Sequence, residues 1–278
     1  MGINALIKSI KGKKNLGIDD KYVIEILDKY LKNQKIKELF EKDEKFIFKN
    51  KEFKKLVKEI RKELYKIHGL YQVKKQSKKQ ELLNKLQKAK NIDEIKEISI
   101  EILKQHTSSR ERLNNYKKLY SEILKIKPKS ILDLASGLNP CSIVLSNFKG
   151  DYYAYEISRD DVQFLNKYFK IIRKYNLNGR AFVKDITKNF NYKRADICFL
   201  FKFLDLLEKN RKLFVINLIK NLNCKYLIVS FSKKTISLKQ MKNTERKWFV
   251  SLLNELDLNY RRLDFENEFF YIIELKLP

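Results

Sequence analysis

Apolar positions recur with helical spacing from about Asp20 to Gln105. Val23, Ile26, Leu27, Tyr30 and Leu31, for example, share one face of a 3.6-residue repeat. A second run begins near Lys51, passes through Phe53, Leu56, Val57, Ile60 and Leu64, and reaches Gly69, a helix stop. Further helices are predicted over residues 80–89 and 92–103. Lys74, Lys75, Lys78 and Lys79 form a charge run between helices, read either as a solvated loop or as a phosphate-contacting edge. From Ser130 onward the pattern changes to short apolar runs alternating with helical stretches, the mark of βαβ units and a mostly parallel sheet. Strands are predicted at 130–134, 152–156, 181–184, 197–201 and 226–231, with helices in the gaps. Two β-rich runs, 259–265 and 269–275, separated by Glu266, Asn267 and Glu268, read as a terminal hairpin. The chain therefore divides into an all-helical N-terminal domain, residues 1–107, and an α/β domain, residues 108–278.

Composition narrows the partners. At 278 residues the chain can bury about two cores, and 44% hydrophobic content excludes a disordered chain. Lysine and arginine total 61 against 34 acidic residues, a net +27 that is too lopsided for mixed ion-pair networks alone and points to a nucleic acid. Cys141, Cys198 and Cys224 lack the paired spacing of a zinc knuckle or a disulfide framework. The two histidines, His68 and His106, are too few for a histidine metal site, so no metal is expected. The first residues show no signal-peptide pattern and no apolar run approaches a membrane span, which makes the expected compartment cytoplasmic.

Candidate chemistry concentrates around ILDLASGLNP, residues 131–140. In open α/β sheets ligands sit beyond the carboxyl ends of the strands, so residues 133–140 are expected to line a binding crevice. Gly137 allows close approach to the backbone, and Asn139 and Pro140 suit a helix start as cap and first helical position. A dinucleotide loop needs several glycines to bring N–H groups to a pyrophosphate. With one glycine here, a cofactor without phosphate fits better, and S-adenosyl-L-methionine has none. Glu156 ends the second strand about twenty residues after Gly137, where a carboxylate can accept both ribose hydroxyls, and Asp185 at the end of the third strand can accept from an adenine amino group. Upstream, HTSSRERL (residues 106–113) reads as a capping box with Ser108 as cap and Glu111 answering. Arg110 and Arg112 stand out in a lysine-preferring chain, and either fork could hold a carboxylate.

These motifs, with FLFKFLDLLEKNRK (residues 199–212) and KELYKIHGLY (residues 62–71), closely resemble the aminoglycoside-resistance 16S rRNA methyltransferases of the Arm/Rmt type. The resemblance runs from about Leu64 to Phe231. It implies a Rossmann-like seven-stranded S-adenosyl-L-methionine methyltransferase fold with an all-helical N-terminal domain, and methylation of N7 of a guanine in the decoding A-site of the small ribosomal subunit. By the same resemblance the cofactor is contacted by Tyr71, His106, Thr107 and Ser108, with Arg112 on its carboxylate. Ala135 and Gly137 border the methionine part and Glu156 holds the ribose. Asp185 and Ile186 meet the adenine, and Phe201 and Asn210 complete the pocket. Guanine N7 carries a free lone pair, so no catalytic acid or base is assigned. The helical domain is expected to dock on 16S rRNA in the 30S subunit, with the protein a monomer. Two departures bear on the target: Asp205 stands where the family has proline, and the Gly-rich basic segment after the fifth strand is replaced by SKKTISLKQMKN, residues 232–243. The acceptor therefore carries an alternative, another rRNA or tRNA base such as adenine N1, and a silent RNA-binding assembly factor of the same fold is a third reading.

Overall fold

The computed structural model describes residues 3–12, 20–32, 49–64, 76–207, 211–234 and 245–276. The chain falls into two compact units, residues 1–72 with 158–160, and residues 73–157 with 161–278. In the first, helices α2 (Asp20–Leu31) and α3 (Lys51–Leu64) bury the stripe expected from their spacing, including Val23, Ile26, Phe53 and Ile60, and a further helix, α1 (Ile3–Lys11), joins the same core through Ile10. Asn50 caps α3, its Oδ1 accepting from the amides of Glu52 at 2.8 Å and Phe53 at 3.3 Å. Arg61 of α3 donates to the carbonyls of Ile10 and Ser9, satisfying the C-terminal end of α1.

The second unit is built on a seven-stranded sheet of order β3-β2-β1-β4-β5-β7-β6. Its strands are β1 (Ser130–Leu134), β2 (Gly150–Glu156), β3 (Leu177–Val183), β4 (Ile197–Phe201), β5 (Tyr226–Ser232), β6 (Tyr260–Asp264) and β7 (Glu268–Glu274). The first five run parallel, and β7 and β6 close the sheet antiparallel. Both faces are covered, so the central strands read as near-continuous apolar runs. Ile131, Ile197, Phe199, Ile228 and Phe270 point into one core, and Leu132, Leu134, Leu200, Val229 and Phe269 into the other. Helices α4 (Gln76–Lys88) and α5 (Ile92–Leu103) belong to the first of these cores through Leu82, Leu86, Ile95 and Ile102. They are followed by α6 (Thr107–Arg112), α7 (Tyr116–Ile123), α8 (Arg159–Ile172), α9 (Arg211–Asn221) and α10 (Lys247–Glu255).

Several sequence expectations are corrected. Strand β3 begins at Leu177, not Ala181: Asn178 and Gly179 look like a turn but pair with Asp151 and Tyr152 of β2. Glu268 is not a turn residue; it opens β7 and is 1% exposed. The gap between β1 and β2 holds a 3-10 segment, Asn139–Leu145, and the 13 residues between β3 and β4 hold no helix. Of the charge run, Lys74 and Lys75 lie outside the described residues, as does Gly69. Lys78 and Lys79 are inside α4, and Lys79 is buried against Asp161 of α8, so it belongs neither to a loop nor to a phosphate-facing edge. Among the described residues no helix is long and apolar enough to cross a membrane, and no group of His, Cys, Asp or Glu could hold a metal ion.

Candidate functional site

The sheet order reverses between β1 and β4, and in open α/β sheets the ligand crevice lies at such a switch point, beyond the strands' carboxyl ends. Both strand exits are conformationally unusual. Ala135 (φ 51°) and Gly137 (φ 51°) follow β1, and Lys202 (φ 55°) follows β4, all in the left-handed region that costs a non-glycine residue about 1 kcal/mol or more. The surroundings enforce the β1 turn. The amide of Ser136 donates to the carbonyl of Tyr155 at 3.1 Å, and that of Gly137 to Glu156 Oε2 at 2.9 Å. Glu156 Oε1 accepts from its neighbour Ile157 at 2.9 Å, which holds the carboxylate at the end of β2. His106 closes the loop from above: a Cβ on Gly137 would lie 2.7 Å from its Nε2.

Behind the loop lies a buried polar network. Asp133 Oδ2 accepts from Asn139 Nδ2 at 2.8 Å and from the Tyr152 hydroxyl at 2.6 Å. Asn139 Oδ1 accepts in turn from the Tyr116 hydroxyl at 2.9 Å and from Arg112 at 3.1 Å. Arg112 grips Glu268 through Nε and Nη2 at 3.0 and 2.6 Å, and its guanidinium lies 4.6 Å from the centre of the Phe201 ring. Lys202 reaches Glu111 at 2.6 Å and Glu268 at 3.7 Å. Burial pushes the Asp133 carboxyl up from 3.8 to about 6, against the pull of its two donors. For Glu268 burial acts in the same direction, but the charges of Arg112 and Lys202 outweigh it and hold the carboxyl below its ordinary value. Burial likewise raises the hydroxyls of Tyr116 and Tyr152.

The structure brings His106, Ser108, Arg112, Ala135, Gly137, Glu156 and Phe201 into one connected set around the β1 and β4 exits. Ser108 belongs to it as an acceptor for Arg112 at 3.3 Å. The predicted capping box is absent: His106 occupies the cap position of α6 and makes no side-chain cap bond, while Glu111 is turned to Lys202. Asn139 is not a cap either, since its amide is spent on Asp133 and Arg112. Thr107 opens α6 half-buried. Asp185 and Ile186 stand one strand over, beyond β3, where the amide of Lys184 meets the carbonyl of Glu156 at 2.9 Å. Asp185 Oδ1 accepts from the amide and hydroxyl of Thr187 at 2.9 and 2.7 Å, and Ile186 is buried. Tyr71 and Asn210 lie outside the described residues. Sequence reasoning missed Tyr116, Lys202 and Glu268. The three lie at least 66 positions apart in the chain and meet only through tertiary contact, and an isolated Glu268 beside Asn267 carries no local signal of burial.

The family model described as "Ribosomal RNA methyltransferase (FmrO)" matches residues 32–272. A relative from Proteus mirabilis named 16S rRNA (guanine(1405)-N(7))-methyltransferase is 26% identical over 280 residues, spanning 92% of this chain and 98% of its own. The crystal structure of the 16S rRNA methyltransferase RmtF in complex with S-adenosyl-L-homocysteine superposes with a TM-score of 0.73 at 20% identity, over 99% of this chain and 98% of that one. The 16S rRNA methylase RmtB superposes at 0.70 and 21% identity over 99% of both chains. At these identities the two structures show the shared fold, a seven-stranded methyltransferase sheet.

Proposed function

The chain belongs to the ribosomal RNA methyltransferase (FmrO) family, and from that premise we propose that it moves a methyl group from S-adenosyl-L-methionine to N7 of a guanine in the decoding A-site of 16S rRNA, within the 30S subunit. The observation that carries the reading is the β1 exit loop, in which Gly137 is tied by its amide to Glu156 and roofed by His106. The donor set fits this cofactor. The loop's single glycine amide is already committed to a carboxylate, so no nest of N–H groups is available for a pyrophosphate. Glu156 presents a fixed carboxylate to ribose hydroxyls, and Asp185 with Ile186 presents an acceptor and an apolar wall to an adenine. Ala135 borders the methionine part, with Thr107 and Ser108 at the start of α6 beside it. Tyr71, Phe201 and Asn210 complete the assignment by family position.

Arg112 takes a more constrained role. Its fork is matched by Glu268, so a ligand carboxylate would compete for its longest contacts, those to Ser108 at 3.3 Å and Tyr116 at 3.5 Å. The cofactor supplies a methyl group on a positively charged sulfur. The chain's own work is to bind, orient and exclude water, because guanine N7 already presents its lone pair and needs no base. The acceptor base must leave its stack to reach the crevice. The helical N-terminal region docks on rRNA, the α/β unit together with His106 and Thr107 carries the chemistry, and the protein acts as a cytoplasmic monomer.

Calorimetry and nucleotide mapping test this reading. Wild-type protein binds S-adenosyl-L-methionine, and Glu156→Ala weakens that binding at least tenfold, the loss of a charge-assisted contact being worth about 1.5–3 kcal/mol. Mass-spectrometric mapping then finds the methyl group on one A-site guanine of 30S subunits. Methylation confined to tRNA or to an adenine would replace the acceptor, absence of cofactor binding would leave a silent RNA-binding factor, and binding unaffected by Glu156→Ala would undo the site.

A further inference from the structure

Arg246 stands immediately before α10, and its guanidinium holds three acceptors. Through Nε and Nη2 it donates to both oxygens of Asp205, each at 3.0 Å, and through Nη2 also to the carbonyl of Ser232 at 3.1 Å. Asp205 lies in the 3-10 turn Leu204–Leu206 that follows β4, and Ser232 is the last residue of β5. The plane of the fork rests near the rings of Phe231 and Phe269, at 5.4 and 5.8 Å. One side chain thus ties the exits of two neighbouring parallel strands. Two residues on, Trp248 carries the guanidinium of Arg211 at 4.4 Å, which pairs the first turn of α9 with that of α10. The Arg246 side chain is 12% exposed and that of Asp205 29%, so this two-pronged pair is partly withdrawn from solvent and is stronger than an ordinary surface pair.

The location matters because the rim of the crevice has two halves. Gly137, Glu156 and Asp185 occupy the exits of β1, β2 and β3, whereas Asp205, Ser232 and Arg246 occupy those of β4 and β5, across the switch point. We propose that Arg246, gripped by Asp205 and Ser232, is a positioning residue that sets the β4–β5 half of the rim and thereby holds the acceptor base without contributing to cofactor binding. This rests on the acceptor reading given above. Misplacement of a reacting group by about 1 Å costs on the order of a hundredfold in rate, so a loosened rim lowers turnover even where binding persists.

The full-length protein with Arg246→Ala, Arg246→Lys or Asp205→Asn provides the test. Three quantities are read: the Kd for S-adenosyl-L-methionine, kcat and KM with 30S subunits, and acrylamide quenching of Trp248, the single tryptophan of the chain. Arg246→Ala and Asp205→Asn are expected to reduce kcat/KM on 30S at least tenfold, leave the cofactor Kd within twofold, and make Trp248 more quenchable. Arg246→Lys falls between them and the wild type, because an ammonium keeps the charge and loses the fork. Turnover within twofold of wild type in both variants overturns the proposal, as does a cofactor affinity and Tm that fall in parallel with activity, the behaviour of a purely structural pair. If wild-type protein leaves 30S subunits unmethylated, the acceptor reading fails separately. The tie is then judged by Trp248 alone: increased quenching in the two variants upholds it, and unchanged quenching overturns it.

Discussion

A guanidinium has five N–H donors, and Arg112 directs all five to protein acceptors: Glu268 twice, then Asn139, Ser108 and Tyr116. A fully buried cation is tolerable only with such company, since an unpaired charge at that depth costs several kcal/mol. Asp133 is the opposite case: it has two neutral donors and no directly bonded cation, and burial raises its carboxyl from 3.8 to about 6. The folded protein therefore holds this proton more tightly than the unfolded chain. The resulting stabilisation is fully present below pH 3.8, shrinks as pH rises, and is gone above about pH 6. At 1.36 kcal/mol per pH unit the difference is about 3 kcal/mol. Urea unfolding of the wild type and Asp133→Asn at several values between pH 4 and 7 checks it. The stability of the wild type relative to the variant should fall as pH rises through this window, and a flat difference would mean that Asp133 ionises normally. Glu268 titrates in the reverse sense, its contribution being lost as pH falls, which is why the difference between the two proteins is the quantity to measure.

At the scale of elements, the β1 exit loop and the start of α6 are mutually fitted. Gly137 is needed twice over, for its φ of 51° and because a Cβ would press on His106 Nε2 at 2.7 Å. Gly137→Ala should therefore destabilise the protein by about 1–2 kcal/mol and abolish measurable cofactor binding. Adding His106→Ala removes the collision and not the backbone strain, so the double variant should regain part of the lost stability in thermal unfolding. No regain would show that the two residues do not press on each other. Gly137 was legible in the sequence because β1 is a short, mostly apolar strand followed by a lone glycine and a proline, and Glu156 because it closes the next strand at the right interval. The sheet itself was legible for the same reason. What escaped detection were side chains whose role depends on the tertiary fold. Asn139 reads as a cap by its place before Pro140, yet the buried Asp133 competes for it and wins. Lys202 looks like one lysine among many and is 4% exposed between two carboxylates. Asp205 and Arg246 are recognisable as partners only once the parallel pairing of β4 with β5 brings their elements together.

For the whole molecule the dominant quantity is the net charge of +27, shared by both halves of the chain. Ion pairing absorbs only part of the positive charge. Acidic partners are found for Lys79, Arg112, Lys202, Arg246, Arg261 and Arg262, among others, but acidic residues number 34 against 61 basic ones. Such an excess attracts phosphate non-specifically, and binding by phosphate contacts releases condensed counterions. Affinity for 30S subunits should accordingly fall steeply with salt, whereas affinity for S-adenosyl-L-methionine, which carries no phosphate, should barely change. Raising monovalent salt from roughly 50 to 200 mM should weaken subunit binding about tenfold or more, which at a slope near −0.7 per contact corresponds to at least two or three phosphates engaged. Filter binding of labelled subunits across that range, beside calorimetry of the cofactor in the same buffers, separates the two. A subunit affinity that varies no more with salt than the cofactor affinity would mean that the surplus charge is solvated surface and that recognition resides in the crevice alone.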